Sequence, residues 1–502
     1  MESILKNLAF IFLYFFLCYS IGYLEILSSN PNGDHIWRQS DGLSMAYIYY
    51  SEENSFLEPK MLNQLSNAGK AVGEFPILYY GVAQLYKVFG QSDSIYRLTC
   101  WLIGFLGYFA VFKMVSEILN DFKWGIIISL LTFTSPILIY YGVSFLPDPA
   151  SLSLVFISWY FIYKHSKRKK LVYYILGMLF MTLAALLKIT SLLSFIAVFM
   201  GLIVQHISSK KAITLNWKMI TATVLSILSI VSWVIFSKRY NQLNQTTYFF
   251  LGTAPAWNLS YKDFWITLHY ISDWTKEYFY PTGRHLIYLF ATLIITPIFK
   301  NKLSKTLYYS YLFSVIGFLG FIALFFQQFK DHDYYMAPLL FIVPLTLTLL
   351  LLKFNFLLNK SNLLKYGSQF LFALLLVASS VYAQNRTEKR ITNKSDWVFE
   401  ELYDLEPKLT KIGIGKDDLI LAPFDPSANI TLYALKRKGW TRLNRIHTVE
   451  EIYKKQQLGA KWIIIPTDSL ISNRYLHKVI SEPTYQSEKI SLFRLQKTNR
   501  QN

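Results

Sequence analysis

The sequence consists of long apolar stretches separated by short polar loops. An apolar stretch of about 20 residues is long enough to cross the hydrocarbon core of a bilayer as a helix. The sequence therefore predicts a mainly α-helical, multi-pass membrane protein with about eleven spans. The predicted spans lie near residues 5–27, 94–118, 124–143, 149–164, 171–187, 189–206, 219–237, 285–299, 306–326, 336–352 and 364–382.

Charge supports this class and excludes others. Only 16% of the 502 residues are charged, whereas soluble proteins carry about a quarter. The net charge of +19 comes largely from loops between apolar stretches, which argues against a nucleic-acid-binding protein. Cys18 and Cys100 both lie inside apolar stretches and cannot build a disulfide framework. Soluble dehydrogenases and secreted disulfide-rich proteins are excluded as well.

Basic loops predict the orientation of the spans. Residues 164–170 contain five Lys/Arg, and cytoplasmic loops are enriched in these residues. Parity then places the N-terminus inside and the regions 28–93 and 238–284 outside, with the first apolar stretch retained as a helix. The segment Phe75–Phe89 is short for a span, so we expect an interfacial or re-entrant helix there. The predicted location is the inner (plasma) membrane.

The sequence changes character near its C-terminal end. We expect a transmembrane domain over residues 1–385 and a small extracytoplasmic (periplasmic) α/β domain over 386–502. Residues 418–423 and 461–466 are typical of short buried strands, and 431–438 and 449–458 have helical spacing. Alternating strands and helices predict an α/β arrangement.

Four carboxylates on the predicted outer side are candidates for chemistry. Asp34 and Asp41 precede a helical stretch, Glu74 precedes Phe75-Pro76, and Asp148 lies between two prolines. Acids at a membrane boundary are functional candidates where they converge. The structural alternative for Asp41 is a helix N-cap, and the flanking prolines predict that Asp148 stays outside the helix.

Cationic groups lie on the same predicted side. Lys188 interrupts two apolar stretches, Arg284 follows Pro281-Thr282-Gly283, and His332 lies in a polar turn. Each is suited either to anchoring a helix end or to binding a phosphate group at the membrane surface. No cofactor is predicted; a divalent ion held by the acids and His332 is a less favoured alternative.

Short motifs in this order resemble a known family. They are Asp41 in the first external loop, Glu74-Phe75-Pro76-Ile77-Leu78-Tyr79-Tyr80, Pro147-Asp148-Pro149-Ala150, Leu187-Lys188 and His332-Asp333-Tyr334-Tyr335. Through residues 1–345 the chain resembles the polytopic GT-C glycosyltransferases related to protein O-mannosyltransferases and lipid A aminoarabinose transferases.

The resemblance implies a hexosyl- or pentosyltransferase that uses a sugar carried on polyprenyl phosphate. It implies Asp41 as the general base, with Asp34 as a competitor, and we expect Asp148 or Glu74 to orient the acceptor or the sugar. It also implies that Lys188 contacts the donor phosphate, and we expect Arg284, His332 and Tyr335 to bind this phosphate as well. The chain departs from the family at Glu74-Phe75-Pro76, where a lysine and a second proline are replaced.

The predicted partners are the lipid-linked sugar, the bilayer and an extracytoplasmic acceptor, which is a protein, lipid A or a cell-surface glycan. Two alternatives belong to other classes: a transporter or lipid flippase, and a membrane-anchored binding protein. Transporters usually place polar groups near the membrane midplane, whereas the polar residues here gather at one predicted face. The sequence therefore favours an enzyme that acts at the interface.

Overall fold

The computed structural model describes residues 2–208, 216–249, 252–278, 302–358, 360–392, 400–469 and 473–496. The predicted span at 285–299 lies outside this part of the chain. The described residues are mostly helical and carry one small sheet, as the sequence predicts. They form two compact units.

The first unit comprises Met1–Leu27, Arg97–Ile235 and Leu251–Lys389, and the second comprises Ser28–Tyr96, Phe236–Phe250 and Arg390–Asn502. The boundary at 385/386 remains a prediction. In chain order, the described α-helices are α1 Glu2–Ser20, α2 Tyr23–Ser28, α3 Ile36–Ser51, α4 Ile77–Phe89, α5 Asp93–Leu119, α6 Phe122–Phe133, α7 Pro136–Gly142, α8 Asp148–Arg168, α9 Leu171–Leu187, α10 Leu192–Ser208, α11 Trp217–Leu243, α12 Tyr261–Tyr278, α13 Lys302–Leu324, α14 Ile342–Leu358, α15 Asn362–Thr392, α16 Glu400–Leu409, α17 Ile430–Ala434 and α18 Val449–Gln457.

Six stretches of helix among the described residues are long and apolar enough to cross a membrane, or seven if the bent pair α6–α7 forms one span. Two shorter apolar helices lie at Leu171–Leu187 and Ile189–Val204. Ten of the eleven predicted spans coincide with helical segments, and the remaining one, at 285–299, falls outside the described residues. The protein is thus a multi-pass membrane protein, while its orientation remains a prediction. Helix α4 has only 13 residues and is too short to cross.

The predicted span 124–143 is not one straight helix. Helices α6 and α7 meet at an angle of 76°. Pro136 occupies the first turn of α7, where a missing N–H costs little, but it cannot continue α6. Ser135 before it adopts the extended conformation that a following proline favours.

The tail folds as predicted into an α/β arrangement. The strands are β1 Leu419–Ala422, β2 Gly439–Thr441, β3 Ala460–Pro466, β4 Ile480–Gln486 and β5 Ile490–Leu495. Their order is β2-β1-β3-β5-β4, with parallel pairs around β1 and antiparallel pairs around β5. Helix α17 ends earlier than predicted because the chain turns into a left-handed conformation at Lys436, which terminates a helix.

Strands β1, β3 and β5 of this sheet are apolar and mostly buried, whereas the edge strand β4 is mostly exposed. Ile420 and Ile464 pack with residues of α16 on one face, and Leu421 and Ile463 pack with Ile452 of α18 on the other. Parallel strands buried on both faces are typical of α/β domains. The connection between β1 and α17 contains a polar loop that includes Asp425, Ser427 and Asn429.

Candidate functional site

Six of the eight predicted site residues fall into two polar groups, one in each unit; Asp34 and Arg284 belong to neither. The Asp41 cluster, in the second unit, consists of Arg38, Asp41, Glu74, Tyr79, Tyr248 and Asn429. The Lys188 cluster, in the first unit, consists of Tyr141, Asp148, Lys188, His332, Asp333, Tyr334 and Tyr335.

Asp41 lies inside helix α3, so the alternative of a helix N-cap is wrong. The helix begins at Ile36, with His35 in the N-cap position. Arg38 and Asp41 are three residues apart and therefore lie on the same helical face. Asp41 is only 2% exposed. A carboxylate so deeply buried in a helix interior needs donors from other elements to remain in place.

Three groups bind the Asp41 carboxylate directly. The Tyr248 hydroxyl donates to both oxygens, at 2.9 Å from Oδ1 and 3.0 Å from Oδ2. Asn429 Nδ2 donates to Oδ1 at 2.8 Å. Arg38 Nη1 lies 3.6 Å from Oδ2 and forms an ion pair with it. These contacts favour the ionised form of the carboxyl group.

Burial and these partners act in opposite directions on the acidity of Asp41. Burial raises the pKa of Asp41 to about 6, while Arg38, Asn429 and Tyr248 limit the rise and the negative charge of Glu74 adds to it. A carboxylate with such a pKa remains ionised at neutral pH and accepts a proton more readily than an ordinary one.

Arg38 joins the two carboxylates of this cluster. Its Nη2 donates to Glu74 Oε1, which also accepts a hydrogen bond from Tyr79 of α4. The guanidinium lies over the ring of Phe249, 5.5 Å from the centroid. Phe75 follows Glu74 directly in the sequence, and the cation that pairs with Glu74 is Arg38 of α3.

Asp34 belongs to a different pair. Its carboxylate Oδ2 lies 3.7 Å from Arg390 Nη1, and its backbone N–H donates to the Arg390 carbonyl. Asp34 therefore serves to connect the first loop to the end of α15. The structure brings Asp41 and Glu74 together through Arg38 and places Asp34 in this separate contact.

Asp148 and Lys188 form a buried ion pair in the first unit. Lys188 Nζ lies 2.9 Å from Asp148 Oδ1. Lys188 follows the last residue of α9 in an extended conformation, and Asp148 is the first residue of α8. The expectation that prolines hold Asp148 outside the helix is wrong, because Pro149 is tolerated within the first turn.

The aromatic rings of Tyr334 and Tyr335 lie next to the Lys188 ammonium. Its Nζ lies 4.8 Å from the ring centroid of Tyr335 and 5.3 Å from that of Tyr334, distances at which a cation is attracted to a ring face. The His332 ring stacks against Tyr335, and its Nδ1 lies 3.3 Å from the Tyr334 hydroxyl. The structure therefore brings together the predicted residues Lys188, His332 and Tyr335.

The same segment is held from a neighbouring helix. Tyr141 of α7 donates to Asp333 Oδ1 at 2.7 Å, and Asp333 is fully buried. Arg284, also predicted to bind phosphate, lies outside the described residues. Within the described ranges, no three His, Cys, Asp or Glu side chains come together as a metal site would require.

Sequence reasoning missed several of these residues. Arg38 carried a detectable signal, since a cation three residues before a helical acid shares its face. Tyr248 and Asn429 are 207 and 388 residues from Asp41 in sequence, and no motif connects them to it. Only the fold reveals their contact.

Comparison with known proteins supports the resemblance drawn from the motifs. Residues 74–236 match the family model described as dolichyl-phosphate-mannose-protein mannosyltransferase. The structure of ArnT from Cupriavidus metallidurans bound to undecaprenyl phosphate matches 97% of this chain and 98% of its own, with a TM-score of 0.66 at 10% identity. The apo structure of that ArnT matches 98% of this chain and 98% of its own, with a TM-score of 0.61 at 9% identity.

A third match is more distant. The apo structure of the Archaeoglobus fulgidus oligosaccharyltransferase gives a TM-score of 0.53 at 9% identity, covering 93% of this chain and 70% of its own. No curated protein sequence matches this chain significantly. The resemblance to GT-C glycosyltransferases is confirmed, and the chain has the fold of ArnT.

Proposed function

We propose that this protein is a membrane glycosyltransferase that transfers a hexosyl or pentosyl group from polyprenyl phosphate to a hydroxyl of an extracytoplasmic acceptor. The ArnT fold and the match to the mannosyltransferase family model support an enzyme of this class. The ArnT structure with undecaprenyl phosphate supports a polyprenyl phosphate as the carrier. The acceptor classes remain a protein, lipid A or a cell-surface glycan.

The observation that carries the proposal is the setting of Asp41. A sugar acceptor hydroxyl is a poor nucleophile until a base removes its proton in the transition state. Asp41 is buried, ionised at neutral pH, and has a pKa raised to about 6 chiefly by burial. These are the properties expected of a general base. Asp34, in its contact with Arg390, is the weaker candidate.

The proposed reaction is a single displacement. Asp41 takes the proton of the acceptor hydroxyl while the oxygen attacks the anomeric carbon of the sugar. The bond from that carbon to the phosphate oxygen breaks, and polyprenyl phosphate leaves with the bonding electrons. Because the nucleophile enters opposite the leaving group, the configuration at the anomeric carbon inverts.

We assign the binding of the donor phosphate to Lys188, with His332, Tyr335 and Arg284 as further contacts. A phosphate gains charge as it leaves, and fixed cationic donors stabilise that charge. The ion pair with Asp148 and the two tyrosine rings hold the Lys188 ammonium in a defined position. We also propose that Glu74 orients Arg38 and that Asp148 orients Lys188.

The experiment compares transfer with transport. Lipid-linked sugars are extracted from cells grown on radiolabelled glucose and added to proteoliposomes of the purified protein with a deglycosylated envelope fraction. The proposal predicts labelled sugar in the envelope fraction after lipids are extracted from it, with release of polyprenyl phosphate, and transfer that is roughly 10²–10⁴-fold slower with the Asp41→Asn protein. Movement of the labelled lipid between leaflets without transfer would support a flippase and contradict the proposal.

A further inference from the structure

Asn429 lies at an unusual position in the tail. It precedes α17, where an asparagine side chain normally accepts a hydrogen bond from the first turn of its own helix. Asn429 makes no such bond. Ser427 Oγ accepts from the Ile430 N–H at 3.0 Å and Asp425 Oδ2 accepts from the Thr431 N–H at 2.8 Å. Side chains other than Asn429 thus accept the hydrogen bonds from the first turn of α17.

The fold also determines which way the Asn429 amide faces. Its Oδ1 accepts from the backbone N–H of Asn63 at 3.1 Å, and that group is always a donor. Ser44 Oγ lies at the same distance from Oδ1, and Ser44 itself accepts from the Leu62 N–H. The Nδ2 group must therefore point away from Asn63, toward Asp41 Oδ1 at 2.8 Å.

One face of α3 receives this amide. Asp41 and Ser44 are three residues apart, so their side chains lie one turn from each other on the helix. The Asn429 amide contacts both, with its nitrogen at Asp41 and its oxygen at Ser44. Asp41 is 2% exposed and Asn429 is fully buried. A hydrogen bond to a charged group is worth most where water is absent.

The loop that carries Asn429 is held at several points. Asn63 Nδ2 donates to the Ala428 carbonyl at 2.9 Å, and Thr441 of β2 donates through its hydroxyl to the Ser427 carbonyl. Asp425 Oδ1 accepts from the Ser427 N–H at 2.8 Å. Because these bonds fix the backbone, the amide of Asn429 cannot easily turn away from Asp41.

We propose that Asn429 is a positioning residue that fixes the orientation of the Asp41 carboxylate and stabilises its ionised form, so that the α/β tail takes part in the reaction. This inference rests on the proposed role of Asp41 as the base. The other groups that face Asp41 are Arg38 on its own helix, Glu74 before α4 and Tyr248 after α11. Asn429 belongs to the α/β tail, whereas Arg38, Glu74 and Tyr248 lie outside it.

The test measures how thermal stability depends on pH in detergent, which requires no substrate. The variants are Asn429→Ala, Asn429→Asp and the control Asn444→Ala, each made alone and combined with Asp41→Asn. Asn444 belongs to the same hydrogen-bond network, through Asn63 and the Thr441 N–H, but it is connected to Asp41 through Asn63 and then Asn429, two contacts further away than Asn429 itself.

We expect the wild type to lose stability as the pH rises through about 6, because the buried Asp41 becomes charged. In Asn429→Ala, we expect this loss to occur about one to two pH units higher, the effect of one missing donor to a carboxylate. Asn429→Asp keeps the size and the acceptor oxygen but places a second carboxylate beside Asp41. The pH at which stability is lost should therefore rise at least as far as in Asn429→Ala. Asn444→Ala should keep the wild-type dependence of stability on pH. None of the variants combined with Asp41→Asn should show the shift, because the titrating carboxylate is gone.

A uniform loss of stability at every pH, equal in both backgrounds, would show that Asn429 is only structural and would overturn the inference. Transfer in cells is the second measurement: folded Asn429 variants should make at least 10-fold less of the modified glycan at pH 6, with partial recovery at pH 8. Unchanged transfer in both variants would also overturn it. If instead Asp41→Asn is fully active, the proposed base is wrong, whatever the stability profile shows.

Discussion

The Lys188 ammonium lies 2.9 Å from the Asp148 carboxylate, and Asp148 is fully buried. The pair joins the end of α9 to the start of α8. Removal of one partner leaves the other as an uncompensated buried charge, which destabilises a protein by about 3–5 kcal/mol. A loss of activity on mutation of Lys188 therefore has two sources, which must be separated by experiment.

We predict that Lys188→Ala lowers both stability and transfer. The loss of the cation proposed to contact the phosphate should slow transfer by a factor of about 10²–10³. Thermal unfolding in detergent should show the additional cost of the unpaired Asp148.

The double variant Asp148→Asn/Lys188→Gln distinguishes the two effects. A neutral amide pair replaces the ion pair, so stability should return close to the wild-type value. Transfer should stay low, because the positive charge is still missing. Recovery of transfer together with stability would show that Lys188 only supports the fold.

Asp41→Asn should increase stability while it strongly slows transfer. Burial raises the pKa of Asp41 to about 6 from an ordinary value of 3.8, so its stabilising contribution is complete below pH 4 and is lost as the pH rises through 6. Asparagine stays neutral, and the variant should be more stable than the wild type at pH 8 by about 3 kcal/mol. Near pH 4 the difference should disappear. Transfer should fall by roughly 10²–10⁴-fold.

Asp34→Asn is the matched control for the base. Its carboxylate pairs with Arg390, so its loss should change stability modestly and leave the chemical step intact. An inactive Asp34→Asn beside an active Asp41→Asn would reverse the assignment of the base.

The rate of transfer should fall about tenfold for each pH unit below about 6, as Asp41 becomes protonated. Tyr248→Phe removes the hydroxyl that donates to both carboxylate oxygens, and this limb should move to higher pH by about one unit. Tyr240→Phe is the control, since its hydroxyl donates to the Pro59 carbonyl instead. Equal pH profiles for Tyr248→Phe and the wild type would argue against Asp41 as the titrating group.

Reporter fusions test the predicted orientation. Fusions after Lys170 and Lys305 should report from the cytoplasm, and fusions after Asp148 and Arg390 from outside. The basic loop at 164–170 is the reason for this expectation. A reporter that is external at Lys170 would invert the topology and place the proposed chemistry on the cytoplasmic side.

Periodic and compositional signals predicted the fold well. Apolar stretches located the helices, and the short apolar runs at 418–423 and 461–466 correspond to β1 and β3. The bend between α6 and α7 went unpredicted, although Pro136 was visible, because apolar composition is the same on both sides of it. Hydrophobic patterns in the sequence indicate which residues are buried, but they do not indicate the direction in which the chain leaves a helix.

The candidate site was only partly predictable. Asp41, Glu74, Asp148 and Lys188 carry charge next to apolar sequence, and such residues stand out in a membrane protein. The pairing of Asp148 with Lys188 depends on packing between helices and has no local signature. The contact of Asn429 with Asp41 depends on the α/β tail and the first loop forming one unit, which neither segment reveals alone.

The most direct test of the central claim is mass spectrometry of the envelope glycans and of the polyprenyl-phosphate sugars in the same cells. Strains without the protein are supplied with the wild type or with Asp41→Asn at matched membrane levels. The account predicts that a sugar modification present with the wild type is absent with Asp41→Asn, while its polyprenyl-phosphate donor accumulates. Identical glycans and identical donor levels in the two strains would contradict it.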